Sequence, residues 1–232
     1  MRQLPAARWV LPDARTLPEG QDYAGSGLDW DAATLLHAYA HGYFPMPREL
    51  EGDDIGWWSP DVRAVFDPHA LRISRSLRQS VRKHRITVNA AFDDVLVACA
   101  DPARPSRWID SSVRSAYGQL HEQGWAHSIE VWDGDELVGG LYGVEIGGLF
   151  AGESMFHRRR DASKVALVGV ASALQSAPGP RRIDSQWMTP HLQSLGATAI
   201  SRADYVEQLP LFLTQSGVLC TFSKGSVIRP NV

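Results

Sequence analysis

His127-Ser128-Ile129-Glu130-Val131-Trp132, Asp133-Gly134-Asp135, Leu137 to Ile146, Gly147-Gly148 and Leu149 to Phe156 follow one another with only Glu136 between the second and third. The first, third and last read as strands, and the Asp/Gly pieces between them as tight turns, so this stretch predicts an antiparallel meander. Downstream, Asp161 is placed to cap a helix over 162–175. Pro178-Gly179-Pro180 then leads into a short strand, Arg182-Ile183-Asp184-Ser185-Gln186. Meander, helix and strand together predict an α+β, acyltransferase-like architecture, although fold by itself assigns no reaction.

Upstream, 112–122 reads as an amphipathic helix closed by Gly124, and Asp101-Pro102-Ala103-Arg104-Pro105 as a linker. The expectation is a small N-terminal α+β domain, residues 1–100, followed by a catalytic domain, residues 106–232. Within the first unit, the lead-in to Gly27 is irregular. Asp31 can cap a helix carrying Leu35, Leu36 and Tyr39, which Gly42, Pro45 and Pro47 end. An acidic loop follows at Glu49 to Asp54, then Trp57-Trp58-Ser59-Pro60 and a short strand, Arg63 to Phe66. Residues 91–100 read as another helix. Between 72 and 85 stand Arg72, Arg75, Arg78, Arg82, Lys83 and Arg85 with no acid among them. Ser74 can cap a helix there, with Ile73, Leu77 and Val81 on one face and Arg75, Arg78 and Arg82 on another. That cationic ridge is oriented towards an anion such as phosphate.

The 232 residues include 44% hydrophobic and 21% charged side chains, the mixture of a globular protein with a buried core. With 23 Lys+Arg against 26 Asp+Glu, the net charge of -3 excludes a polycationic coat, leaving only a local basic patch. Cys99 and Cys220 are far apart and form no CxxC or Cys/His cluster, which argues against a disulfide framework or a metal site and for the reducing cytoplasm. No stretch approaches the ~18 apolar residues of a membrane span, so no membrane partner is expected.

The chain resembles the leucyl/phenylalanyl-tRNA–protein transferases through many ordered blocks. These are Gly42-Tyr43-Phe44-Pro45, Trp57-Trp58-Ser59-Pro60, Ser74-Arg75-Ser76-Leu77, Trp108-Ile109 and the strand from His127 to Trp132. Leu137-Val138-Gly139-Gly140-Leu141-Tyr142-Gly143, Gly152-Glu153-Ser154-Met155-Phe156, Ala162-Ser163-Lys164, Ile183-Asp184-Ser185-Gln186 and Ser194-Leu195-Gly196-Ala197 continue the series. The match runs over roughly residues 28 to 210. Ser185 stands where the family usually has Cys, and Met46 where it usually has Trp; neither removes a polar group the chemistry requires. The resemblance implies a cytoplasmic enzyme that moves Leu or Phe from aminoacyl-tRNA to an N-terminal Arg or Lys of a protein, marking it for degradation. It also implies a GNAT-like catalytic domain; no cofactor or metal is expected.

Such chemistry needs placement more than force, because the ester is already activated and an α-amine (pKa roughly 7.7–8.0) is partly neutral near pH 7. No Ser-His-Asp ordering is evident. Asp184 and Gln186, two apart on a strand, are expected to point the same way, one accepting from the attacking amine and the other orienting the carbonyl. Glu153, a carboxylate among Phe150, Met155 and Phe156, is suited with Asp184 to hold the acceptor's cation. By resemblance, Leu141, Met155, Leu167, Val170, Leu174 and Ile183 form the pocket for the transferred side chain. Trp57, Trp58, Trp108 and Tyr117 are candidate platforms for the 3′-terminal adenosine. Arg75, Arg78, Arg82 and Lys83 face acceptor-stem phosphates. His127 and His191 read as structural histidines.

Two rivals share much of this pattern. A GNAT acetyltransferase needs a glycine-rich pyrophosphate loop where this chain has His157-Arg158-Arg159-Arg160-Asp161, without glycine. A non-catalytic tRNA-binding module would show the same ridge and aromatics, and only Glu153, Asp184 and Gln186 separate it.

Overall fold

The computed structural model describes residues 2–47, 55–103 and 108–232. The acidic stretch Glu49 to Asp54 and the later part of the expected linker lie outside them. Three strands, β1 (Tyr23–Ser26), β2 (Phe44–Pro47) and β3 (Ile55–Trp58), make a small antiparallel sheet in the order β1-β3-β2. Helix α1 (Ala32–Ala40) joins the first two. Asp31 caps it by accepting from Ala33 N, and Gly42, at φ 88°, takes the left-handed turn that ends it.

The chain then builds a second sheet from β4 (Val62–Phe66), helix α2 (Arg75–Lys83), β5 (Arg85–Val88), α3 (Phe92–Cys99) and α4 (Ser111–Glu122). The meander follows as β6 (Ala126–Asp133), β7 (Glu136–Ile146) and β8 (Leu149–His157). Helix α5 (Ala162–Gln175), β9 (Arg182–Trp187), α6 (Pro190–Ser194), β10 (Thr198–Ser201), α7 (Arg202–Leu213) and β11 (Ser226–Ile228) complete it. The strand order is β10-β4-β9-β8-β7-β6-β5-β11, and every pair is antiparallel except β8 with β9. That parallel pair requires a crossover, which α5 supplies. Strands β4 and β5 lie before residue 100 yet belong to this sheet, so sheet membership does not follow the expected division at residues 100–106.

Each face of the sheet carries its own core. Val165, Val170 and Leu174 of α5 pack with Ile86, Ile129, Val131 and Phe150 on one side, where α2 adds Leu77 and Val81. A side chain at Gly169 would meet Ile86 and Ile129 at 2.9 Å, so α5 lies close enough to the sheet to require glycine. The opposite face joins Leu35 and Tyr39 of α1, Val95 of α3 and Val113, Tyr117 and Leu120 of α4 to Tyr142, Val144 and Ala151 of the sheet. Helix α1 and the small sheet, through Phe44, Ile55 and Trp57, therefore share a core with the larger sheet. Full burial of an aliphatic side chain stabilises by about 1.5–3 kcal/mol, so these two layers hold the strands in place.

The expected cap of α5 differs. Asp161 adopts φ 63° and gives no side-chain capping bond; its carboxylate instead accepts from Lys164 Nζ at 2.9 Å and Ser80 Oγ at 3.3 Å. Competing ion pairing and the left-handed backbone turn it away from the helix amides, and it ties α2 to α5.

Candidate active site

Parallel pairing of β8 with β9 runs from Leu149 and Arg182 to Ala151 and Asp184, and stops there. Just beyond, each strand carries a bulge. Tyr142 pairs with Ser154 and Gly143 with Gly152, which leaves Glu153 without a partner on β7. Arg63 pairs with Trp187 and Val65 with Asp184, so Ser185 and Gln186 together oppose one residue of β4. Gln186 has φ 57°, the left-handed value a bulge can require and a side chain seldom adopts. The two bulges bring Glu153 and Gln186 together, with Gln186 Nε2 donating to Gly152 O at 2.8 Å and lying 3.4 Å from Glu153 Oε1.

The bulge also breaks the alternation that predicted Asp184 and Gln186 on one side. Asp184 is fully buried and turns into the core, where its carboxylate accepts from Arg63 Nε (2.8 Å), Arg63 Nη2 (2.6 Å), Tyr205 Oη (2.9 Å) and the backbone N of Gln186 (3.0 Å). Four donors leave it no free site for an amine. Its contact with the site runs through Gln186, whose bulged backbone it holds. Burial and the Asp184 charge push the Tyr205 hydroxyl well above the usual phenol range, so it stays a donor.

Glu153 is held on its other oxygen by Tyr117 Oη at 2.9 Å, and Tyr117 is in turn hydrogen-bonded to Tyr39. Burial pushes the Glu153 carboxyl up to about 7, against the opposing pull of both tyrosines. Both phenols are themselves raised well above their usual value by burial, with the Glu153 charge adding to it. Tyr117 is thus no exposed base platform: it is buried and directs its hydroxyl at Glu153.

Between the splayed strands lies a cavity of about 160 Å³. Leu141, Phe150, Met155, Leu167, Ile183 and Leu192 give it apolar walls, and Glu153, Ser154, Ser185 and Gln186 give it a polar rim. Of the expected pocket residues, Leu141, Met155, Leu167 and Ile183 line it. Val170 and Leu174 do not; both are fully buried in the core beneath α5. Phe150 and Leu192, absent from the expectation, do line it.

Among the aromatics, Trp57 is buried and spends its indole N–H on Gly27 O. Trp58 is half-buried, edge-on to Trp187 with ring centres 5.8 Å apart, and Trp108 is half-buried as well. Trp187 follows Gln186 directly and packs edge-on against Phe44 too, an aromatic neighbour of the site with no motif of its own in the sequence. On α2, Ser74 caps the helix through Leu77 N, Leu77 and Val81 are buried, and Arg75, Arg78, Arg82 and Lys83 are all exposed. Among the described residues no acidic side chain pairs with these four; Arg82 donates to Val232 O. His127 is buried, and that burial lowers its pKa to about 3, so it is neutral; His191 is exposed on α6.

Nothing in the sequence pattern gives Arg63, Tyr39 or Tyr205 a role at the site: Tyr39 reads only as part of the helix that Asp31 caps. Arg63 left one trace, an arginine inside the otherwise apolar Val62-Arg63-Ala64-Val65-Phe66.

An apolar cavity with a few polar groups converging at its edge is the form of a small-molecule or side-chain binding site, here set in an α+β fold. The model of the leucyl/phenylalanyl-tRNA protein transferase family matches residues 65–210, and that of its N-terminal domain residues 29–61. The chain belongs to this family, and it is a transferase. Relatives named leucyl/phenylalanyl-tRNA–protein transferase include one from Shewanella baltica, 49% identical over 187 residues, covering 79% of this chain and 78% of the relative. One from Afipia carboxidovorans is 50% identical over 175 residues (74% and 77%), and one from Shewanella loihica 48% over 216 residues (91% and 88%). A solved structure of a functionally unknown conserved protein from Staphylococcus epidermidis superposes with a TM-score of 0.41 at 14% identity, covering 60% of this chain and 57% of that one.

Proposed function

We infer that the protein transfers Leu or Phe, and less readily Met, from aminoacyl-tRNA to the N-terminal Arg or Lys of proteins, marking them for degradation through the N-degron route in the cytoplasm. The observation that carries the assignment to this site is the apolar cavity whose single polar rim holds Glu153 and Gln186.

The transferred side chain occupies the cavity, and its ester carbonyl reaches the rim, where the Gln186 amide orients it. Asp184, fixed by Arg63, holds Gln186 through its backbone N–H and so acts on the reaction by positioning. Glu153, the carboxylate that borders the cavity, receives the α-amino group of the acceptor, with the buried Asp184 charge behind it. The 3′-adenosine stacks on Trp58, the accessible member of the tryptophan pair, and on Trp108. The unpaired cations of α2 meet phosphates and give a sequence-tolerant grip.

The meander, crossover helix and parallel strand support a GNAT-like reading of the larger sheet. Acetyl-CoA, however, is disfavoured at the junction of β8 and α5. There the backbone N–H groups of Arg158 and Arg159 both turn back to Val138 O, at 2.7 and 3.4 Å, so they are not presented to a pyrophosphate.

Incubation of the purified protein with labelled Leu-tRNA and peptides beginning with Arg, Lys or Ala tests the assignment. Label transfer to the Arg and Lys peptides and not to the Ala peptide is expected; no transfer to any of them overturns it.

A further inference from the structure

Two carboxylates stand near the reacting centre, and their surroundings are opposite. Asp184 has all its hydrogen-bonding capacity committed and no exposure. Glu153 borders the cavity, with one oxygen towards the Gln186 amide and the other on Tyr117. Because the Tyr117 hydroxyl donates to Glu153, the Tyr39 hydroxyl must donate to Tyr117, and the three groups form a directed chain from α1 through α4 to β8. The β8 bulge is what aims this residue inward.

We propose that Glu153 carries the proton between the attacking α-amine and the leaving ribose oxygen, with the Tyr117–Tyr39 chain as its positioning support. The proposal rests on the aminoacyl-transfer reading given above. The neutral amine attacks the ester carbonyl, forming the C–N bond. Glu153 as carboxylate takes the N–H proton, the C–O bond to the ribose breaks, and the protonated Glu153 returns the proton to the departing oxygen. An ester and an amine become an amide and a hydroxyl, and the carboxylate is regenerated, so no other reactant is needed.

The electrostatics suit the task. A base is most effective when its pKa lies near the working pH, and burial brings the Glu153 carboxyl to about 7. The groups facing it are Tyr39 from α1, Tyr117 from α4, Gln186 and Asp184 from β9, and Arg63 from β4. Asp184 pushes its pKa up while Arg63 and the tyrosines pull it down. Both phenols stay protonated across the neutral range, so they support the carboxylate and do not compete with it for the proton.

The experiment is the pH dependence of kcat for transfer from Leu-tRNA to an Arg-starting peptide, in wild type and in Glu153→Gln, Tyr117→Phe and Tyr39→Phe. Glu153→Gln should lower kcat by about 10²–10⁴-fold while the KM for Leu-tRNA stays within about twofold of wild type. Tyr117→Phe removes a donor that stabilises the carboxylate, so the acid limb of the profile should move to higher pH, and Tyr39→Phe should move it the same way. A limb set by the peptide's own amine would not move. A Glu153→Gln enzyme with near-wild-type kcat, or one in which only the peptide KM rises, overturns the proposal. An unshifted acid limb in Tyr117→Phe overturns it as well, and decides the matter even if Glu153→Gln does not fold. Wild-type transfer with unaffected variants sinks the proton-carrying role alone, whereas a wild-type protein that transfers nothing overturns the aminoacyl-transfer reading itself.

Discussion

Arg63 and Asp184 form a two-point ion pair, Nε to Oδ1 at 2.8 Å and Nη2 to Oδ2 at 2.6 Å, with essentially no exposure on either side chain. The guanidinium also donates to Gly42 O at 3.1 Å and stacks over Phe44 and Tyr205, 5.0 and 4.4 Å from their ring centres. It thereby links the small sheet, β4, α7 and the bulged strand that carries Gln186. A buried pair of this kind adds little net stability over an apolar pair, but loss of one member strands the other charge.

Arg63→Ala should therefore destabilise the protein by about 3–5 kcal/mol, read as a lowered denaturation midpoint. Asp184→Ala leaves Arg63 unpaired and should also fall in stability. In the folded fraction its kcat should drop severely while its KM for aminoacyl-tRNA stays near wild type, because Gln186 loses its anchor and the cavity does not. Wild-type turnover by folded Asp184→Ala would remove the ion pair from the site's machinery.

The α2 cations predict a salt effect. Arg75→Ala combined with Arg78→Ala should raise the KM for Leu-tRNA and reduce the slope of log KM against log salt by roughly two. An unchanged slope would place tRNA elsewhere on the surface.

The cavity walls predict which substitutions alter the choice of amino acid. Met155 lines the cavity with an unbranched, deformable side chain able to accommodate branched Leu and planar Phe, so β-branched Ile should stiffen the wall and shift the Leu/Phe ratio in competitive transfer. Leu174 is buried core outside the cavity. Leu174→Ala should cost about 2–5 kcal/mol of stability and leave the ratio alone. Equal ratios in wild type and Met155→Ile would show that Met155 does not set the choice.

Glu153 predicts a pH-dependent stability difference. Its folded pKa lies above the ordinary carboxyl value, so the native state binds more protons than the unfolded chain between about 4.5 and 7, and stability falls as pH rises through that window. Glu153→Gln removes the charge that burial penalises. It should be more stable than wild type at pH 8, by about 3 kcal/mol at most, with the difference vanishing near pH 4.5. Chemical denaturation at the two pH values measures it; a variant equally or less stable at pH 8 would mean the carboxylate is not held at such a cost.

Short-range patterns determined much of this protein. Gly134, at φ 61°, sits in the turn the Asp-Gly-Asp run predicts between two strands, and Asp31 and Ser74 cap the helices they precede. Charge spacing separated the exposed arginines of α2 from Leu77 and Val81, since a helix repeats every 3.6 residues and its faces follow from the spacing alone. The ordered blocks from Gly42 to Ala197 carried the family.

What tertiary structure alone decided depends on contacts between distant parts of the chain. Arg63 and Asp184 stand 121 residues apart, and no local period connects them. Val170 and Leu174 share the apolar character of Leu167, but α5 turns only Leu167 to the cavity and the others to the sheet. Two bulges of one residue each reversed the expected side of Asp184 and set Glu153 beside Gln186. A strand's side chains alternate with period two, so a single extra residue exchanges core for cavity; its position is set by the neighbouring strands and leaves no mark in the sequence.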